Sequence, residues 1–271
     1  MPHLWLRFAA ALYGMGLLYS LLALRGRGST LSRLVLPAVG TGLIFHFVAL
    51  IENFQSSGNL MPAAAHQYES LLAFLLMAFF MGFYFRYKTT SPGILIFPLV
   101  FLLTLSAAIG ADATPFSSPQ TRNGWIFLHI ALIFAGYAAL FFSFVASMLY
   151  LLQERTLKSK TASGVFSRLP ALETIDDMGY QSLLLGFPFM TFGLIAGAII
   201  AQASFGAIFL RDPKILLSLL MWAVYMVLLY TRWSAGWRGR KAAYLSTSAF
   251  AAALVAWAAN YFSWMHKFLT P

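Results

Sequence analysis

Apolar residues in this chain come in long unbroken runs, not in short alternating segments. Eight runs can be marked, at about Leu4–Leu24, Leu34–Glu52, Tyr68–Tyr87, Ile94–Ile109, Trp125–Leu152, Met178–Ala203, Ile215–Tyr230 and Ala243–Phe262. Runs of roughly 17–25 apolar residues have the length at which an α-helix crosses a bilayer. The strands of a membrane barrel would instead show segments of about ten residues with alternating hydrophobicity. The pattern therefore predicts an all-α, polytopic integral membrane protein with about eight transmembrane helices, forming a single helical domain over residues 1–271. The fifth run is long enough to continue as helix beyond the bilayer. The longest connection, Gln153–Asp177, is charged and contains Ser-Arg-Leu-Pro, and no connection is large enough to fold alone.

Composition sharpens this picture. The chain is 60% hydrophobic and 10% charged, whereas a soluble domain carries about 25% charged residues. Too little polar side chain remains to solvate a globule of this size, so lipid must serve as solvent. The 18 Lys and Arg against 8 Asp and Glu would suggest nucleic acid in a soluble protein. No aromatic–basic groove sequence supports that partner here, and in a membrane protein such charges set orientation and meet anionic headgroups. Cysteine is absent, which excludes disulfides, thiolate metal sites and the C-x-x-C-H haem attachment motif. The first run lacks a basic leader and a small-residue cleavage site, so a true spanning helix is expected there.

Orientation follows from the basic residues. Thirteen of the 18 fall in one set of loops: Arg25, Arg27 and Arg33; Arg86 and Lys88; Arg155, Lys158, Lys160 and Arg168; Arg232, Arg238, Arg240 and Lys241. The other side holds Arg7, Arg122, Arg211, Lys214 and Lys267. The first set is expected to be cytoplasmic, which places both termini outside. On this map all five histidines, His3, His46, His66, His129 and His266, fall in the outer half.

His129 begins the fifth run and His266 follows the eighth, both at the outer interface. Two imidazoles from different helices can clamp one haem iron, with the propionates in water. An interfacial histidine can equally serve as an amphipathic anchor, and position alone leaves both roles open. His46, within Phe45-His46-Phe47, is an ionisable group at membrane depth and hence a functional candidate. Its alternative is a neutral histidine hydrogen-bonded to another helix. Glu69 is expected in the first turn of a helix, where a carboxylate suits the dipole. Asp212-Pro213 reads as an N-cap followed by the first helical residue. Gly193-xxx-Gly197 permits close helix packing, and Arg238-Gly239-Arg240-Lys241 reads as a cytoplasmic lipid anchor. Phosphate loops, zinc motifs and hydrolase nucleophile motifs are lacking.

Several motifs occur in a familiar order: Tyr68-Glu69-Ser70; Trp125-xxx-His129 with Tyr137; Tyr150-Leu151-Leu152-Gln153-Glu154-Arg155 and Lys158; Leu169-Pro170-Ala171-Leu172-Glu173-Thr174-Ile175-Asp176; Gly186-Phe187-Pro188; Gly193–Ala198; Asp212-Pro213-Lys214; Gly236-Trp237-Arg238-Gly239-Arg240; and His266. Over roughly residues 40–268 this series resembles the cytochrome c assembly family (CcsA, CcmC and HemX-like proteins) in its eight-helix form. The resemblance implies haem handling at the outer face, where a tryptophan-rich loop cradles haem between two outer histidines. His129 and His266 match those two positions. The loop departs from the pattern: Phe205, Phe209 and Arg211 stand where the family has tryptophans, and Ile215 replaces a usual glutamate. Phenylalanine stacks on a porphyrin but lacks the indole donor, and Arg211 can pair with a propionate. Large members of the family carry a second histidine pair within the membrane. The matching seventh-helix position here is Tyr230, which points to the HemX-like branch.

The expected function is a non-enzymatic haem-binding membrane protein of cytochrome c biogenesis, holding b-type, non-covalent haem. His129 and His266 would ligate the iron, with Phe205, Phe209, Arg211 and Asp212 bordering the haem and His46 as a further candidate. Expected partners are the lipid bilayer, haem and other cytochrome c assembly membrane proteins, in a bacterial cytoplasmic (inner) membrane. Two alternatives stand beside it. One is a HemX-like regulatory or scaffold protein without tight haem binding, favoured by the altered loop. The other is a small-solute transporter built on kinked helices and His46, which would need midplane sites and an internal repeat that the sequence lacks.

Overall fold

The computed structural model describes residues 2–25, 31–57, 65–110, 124–159, 169–205 and 212–258. Among them are eight α-helices and no strands: α1 (Pro2–Leu24), α2 (Ser32–Ser57), α3 (Ala65–Tyr87), α4 (Gly93–Ile109), α5 (Gly124–Ser159), α6 (Leu172–Phe205), α7 (Pro213–Trp233) and α8 (Arg240–Ala258). By length and composition α1, α2, α3, α5, α6 and α7 can each cross a membrane. Helix α4 is apolar but has 17 residues, about 25 Å at the α-helical rise, a little short of the hydrocarbon core.

The helices match the apolar runs except where polar ends stay helical. Helix α5 continues to Ser159 and α6 starts at Leu172, so both ends of the expected connection Gln153–Asp177 are helix. The added turn of α5 carries an ion pair between Glu154 and Lys158 (2.7 Å), a spacing that supports an exposed helix. Glu173 stands in the first turn of α6, where its charge complements the dipole. The expectation for Glu69 needs correcting. Helix α3 begins at Ala65, which puts Glu69 in the second turn, beyond the reach of the dipole. Helix α2 runs on to Ser57, so His46 lies near mid-helix, slightly toward the Ser57 end. The expected end of the eighth run, at Phe262, lies outside the described residues.

Contacts divide the chain into two compact units: Met1–Arg122 with Leu151–Thr174, and Asn123–Tyr150 with Ile175–Pro271. In the first unit α1 packs on α2 and α4, and α3 packs on α4. Without a hydrophobic drive between helices in lipid, small residues and hydrogen bonds make such contacts. Gly16 lets α1 close onto Phe97 and Val39, and Gly42 lies against the ring of Tyr13. Phe80 and Phe97 meet edge to face at 4.7 Å. Tyr19 Oη and Thr90 Oγ1 share a hydrogen bond (2.9 Å), and Ser20 Oγ donates to the Gly93 carbonyl (3.2 Å). Helix α3 ends with Lys88 in a left-handed conformation (φ 53°), its N–H donating to the Tyr84 carbonyl (2.8 Å) and its ammonium lying over the rings of Tyr84 and Phe85.

In the second unit Leu140, Leu183, Met190, Met221, Tyr225, Leu228, Ala249 and Ala253 form the buried core. Glycines on α6 admit α5 and α7. Gly179 faces Ala146, Gly186 faces Ala139 and the hydroxyl of Tyr225, Gly193 faces Ile133, and Gly197 faces His129. Partner numbers fall as glycine numbers rise, so α5 and α6 run antiparallel with backbones close together. Three of these glycines are seven residues apart, the spacing that keeps one seam facing a neighbouring helix over several turns. Pro188 lies inside α6. Close by, Thr191 Oγ1 donates to the Phe187 carbonyl (2.8 Å) and accepts from Trp222 Nε1 (3.0 Å).

Candidate functional site

The residues of interest gather at two places in the second unit and one in the first. His129 is the sixth residue of α5 and is half-buried. Its Nδ1 lies 2.6 Å from the carbonyl oxygen of Gly193 on α6. A carbonyl can only accept, so Nδ1 carries the proton; in a neutral imidazole the lone pair then sits on Nε2. The ring rests on Gly197, where a Cβ would stand 2.6 Å from Cε1 and 2.8 Å from Nδ1. This is the usual dress of a metal-binding histidine: the non-ligating N–H is held by a carbonyl, which fixes tautomer and ring direction.

The loop residue before α7 adds a charged neighbour. Asp212 is fully buried and caps α7 in an extended conformation, its carboxylate accepting from the Lys214 N–H (2.9 Å) with Pro213 as the first helical residue. The cap read from the sequence is present. It also brings Lys214 within electrostatic reach of His129, so a cation stands near the imidazole at the same end of the unit. Phe209, Arg211 and His266 lie outside the described residues, as does the side chain of Phe205.

His46 is wholly buried in the first unit. Its Nε2 lies 2.9 Å from Ser70 Oγ, and its Nδ1 lies 3.5 Å from Tyr13 Oη. The ring meets Phe74 edge to face at 5.8 Å. Both ring nitrogens thus have partners, which ties α1, α2 and α3 together and leaves neither nitrogen free. His46→Ala is expected to destabilise the protein by about 1–2 kcal/mol, the scale of intramembrane hydrogen bonds plus lost packing, while haem per folded molecule stays constant. Pigment measured on the monodisperse fraction checks this; a fall in haem per folded chain would make His46 a ligand.

The third cluster is an ion pair for which sequence reading offered no pairing. Arg232, near the end of α7, donates from Nη1 to Asp176 Oδ2 (2.7 Å) and from Nη2 to the Asp176 carbonyl (3.1 Å). Asp176 Oδ1 also accepts from the Gly239 N–H (3.0 Å). Gly239 has φ +64°, a backbone state open to glycine at low cost, and a Cβ there would meet the hydroxyl of Tyr150. The guanidinium lies over the Tyr180 ring at 5.4 Å. The cluster therefore joins α6, α7 and the start of α8. The signal available in sequence was only that an acid and a base flank the sixth and seventh apolar runs. The glycine contacts of His129 were legible only as a packing motif, because nothing in Gly193-xxx-Gly197 says which residue fills the notch.

Among the described residues no group of three or more His, Cys, Asp or Glu side chains could hold a metal ion. Haem does not require one, since the porphyrin supplies four nitrogens and the protein only axial ligands.

The sequence model of a family described as cytochrome C assembly protein matches residues 64–266. The chain is similar to the cytochrome c biogenesis protein CcsA of Prochlorococcus marinus (strain MIT 9312), 32% identical over 215 residues covering 69% of each chain. It is 27% identical over 220 residues, 68% of each chain, to CcsA of Heterosigma akashiwo (strain NIES-293 / 8280G21-1). To CcsA of Chlamydomonas reinhardtii it is 27% identical over 241 residues, 84% of this chain and 65% of the relative.

Proposed function

The chain belongs to the cytochrome c assembly protein family, and from that membership we propose that it binds haem non-covalently and presents it at the outer face of the membrane. It is a membrane protein of cytochrome c biogenesis. The observation that carries the reading is the hydrogen bond from His129 Nδ1 to the Gly193 carbonyl (2.6 Å), which leaves Nε2 as the donor atom. His129 and His266 are the axial pair. Lys214, like Arg211 in the adjoining loop, supplies positive charge for propionates. Phe205 and Phe209 offer ring faces for the porphyrin. His129 and His266 would hold the haem, whose iron would supply the site at which imidazole nitrogens bind; the chain's own part is to bind, orient and shield. The protein acts as a binding and delivery module in a bacterial cytoplasmic membrane, alongside other membrane proteins of cytochrome c assembly.

Purification in mild detergent followed by an absorption spectrum tests this. A Soret band in proportion to folded protein is expected, and its absence after haemin is added would remove the reading. The second reading, a HemX-like regulatory protein, draws on Tyr230. Its side chain is 62% exposed, turned away from the interior of its unit where the larger relatives are expected to hold an in-membrane ligand. A pigment-free protein that still folds would favour it.

Topology completes the proposal: eight spans with both termini outside. Reporter fusions at Arg240 and at Pro271 are expected to land on opposite sides of the membrane, Arg240 inside, because thirteen of 18 basic residues lie in the loops assigned to that side. Both reporters on one side would refute the arrangement.

A further inference from the structure

We infer that Gly193 and Gly197 are positioning residues for His129, selecting its tautomer and aiming Nε2, so that these two glycines of α6, and not the seam as a whole, form part of the haem site. The inference rests on the haem-binding reading above. Seam glycines differ in what they admit. Gly179 makes only ordinary contact, since a Cβ there would stand 3.4 Å from the Ala146 Cβ. Gly193 admits the side chain and backbone nitrogen of Ile133, one turn along α5 from His129, and this approach brings its carbonyl within 2.6 Å of His129 Nδ1. Gly197 admits the imidazole itself: a Cβ there would stand 2.6 Å from Cε1 and 2.8 Å from Nδ1, closer than carbon and nitrogen can approach. The ring is therefore seated on backbone, with one nitrogen held and the other turned away from the carbonyl that holds it.

Two consequences follow from chemistry. A neutral imidazole in water populates both tautomers, and only the one protonated at Nδ1 presents Nε2 to a metal. Seating the ring also removes rotamer freedom that ligation would otherwise have to remove. Because the α6 carbonyl and the Gly197 notch act on the same ring, one methyl group at 197 should disturb both.

The test uses the full chain in mild detergent, first haem-free and then titrated with haemin. In the haem-free protein, ring ¹⁵N shifts of His129, assigned through their loss in His129→Gln, report which nitrogen is protonated. Wild type and Gly179→Ala are expected to show the Nδ1-protonated tautomer and equal haemin affinity. Gly197→Ala is expected to show mixed tautomers and an affinity lower by about 10-fold or more, the scale on which partners that orient a ligand act. Unchanged shifts and affinity in Gly197→Ala would overturn the inference, as would an equal loss in Gly179→Ala. If wild type takes up no haemin, the haem-binding reading itself fails, and this is seen before any variant is compared. A second pair removes the steric clash, should Gly197→Ala fail to fold. In His129→Gly the space above Gly197 can take free imidazole, which is expected to restore haemin binding. In His129→Gly with Gly197→Ala the methyl group occupies that seat, and rescue is expected to fail. Equal rescue in both would overturn the inference.

Discussion

His129→Ala is expected to lower haem affinity by at least about 100-fold, the upper end of what loss of a partner that merely orients a ligand produces. The reasoning starts at the ring. Nδ1 is committed to the Gly193 carbonyl at 2.6 Å, so Nε2 is the atom that can bond to iron. Removing the imidazole would take away one of the two proposed haem ligands and would open a void above Gly197. His266→Ala is expected to act similarly, and the double variant to add little beyond the worse single change, because two ligands of one iron act as a unit. Haemin titration followed by the Soret maximum and the ferrous α-band checks this. Full loading in the double variant would dispose of the assignment of both histidines.

Asp176→Ala is expected to destabilise the protein by about 3–5 kcal/mol, the usual result of breaking a buried charge pair from one side. The Arg232 side chain is 6% exposed and that of Asp176 16%, so neither charge is solvated well enough to stand alone. Truncating the carboxylate strands the guanidinium against Tyr180 and removes the acceptor of the Gly239 N–H, loosening the turn that leads into α8. Replacing both members by apolar residues, as in Asp176→Leu with Arg232→Met, is expected to recover most of the loss, since the desolvation cost disappears with the charges. Denaturation curves in detergent for the two single variants and the pair form a double-mutant cycle. A coupling near zero would show that the pair is solvated in the folded protein.

Much of the architecture is legible in the sequence. Every apolar run became a helix, since transfer to lipid depends on the summed character of about twenty consecutive residues. Differences fell at run ends. The fifth run was expected to continue as helix beyond the bilayer, and α5 does carry the polar Gln153, Glu154 and Arg155 on to Ser159, because backbone hydrogen bonding does not stop where lipid does; the connection marked from Gln153 began too early. Glu69 was misplaced for the same reason, three polar or small residues before Tyr68 having joined α3.

The site was legible only in part, and along the same divide. Asp212 could be read as a cap because its hydrogen bond reaches two residues along the chain; helix count, lipid as solvent and the charge bias between loops are likewise sums over neighbours. His46 and His129 could be picked out as ionisable groups in or beside apolar runs, and Asp176 only as part of a motif, but their states could not. Partners of these groups lie 24, 56 and 64 residues away at Ser70, Arg232 and Gly193. Which of them meet depends on the rotation and register of packed helices, and therefore on the shape complementarity of whole faces. A glycine seam is visible in the sequence of α6. Only the packing of α5 against it decides that His129 fills the last notch, with its proton on Nδ1 and its lone pair on Nε2.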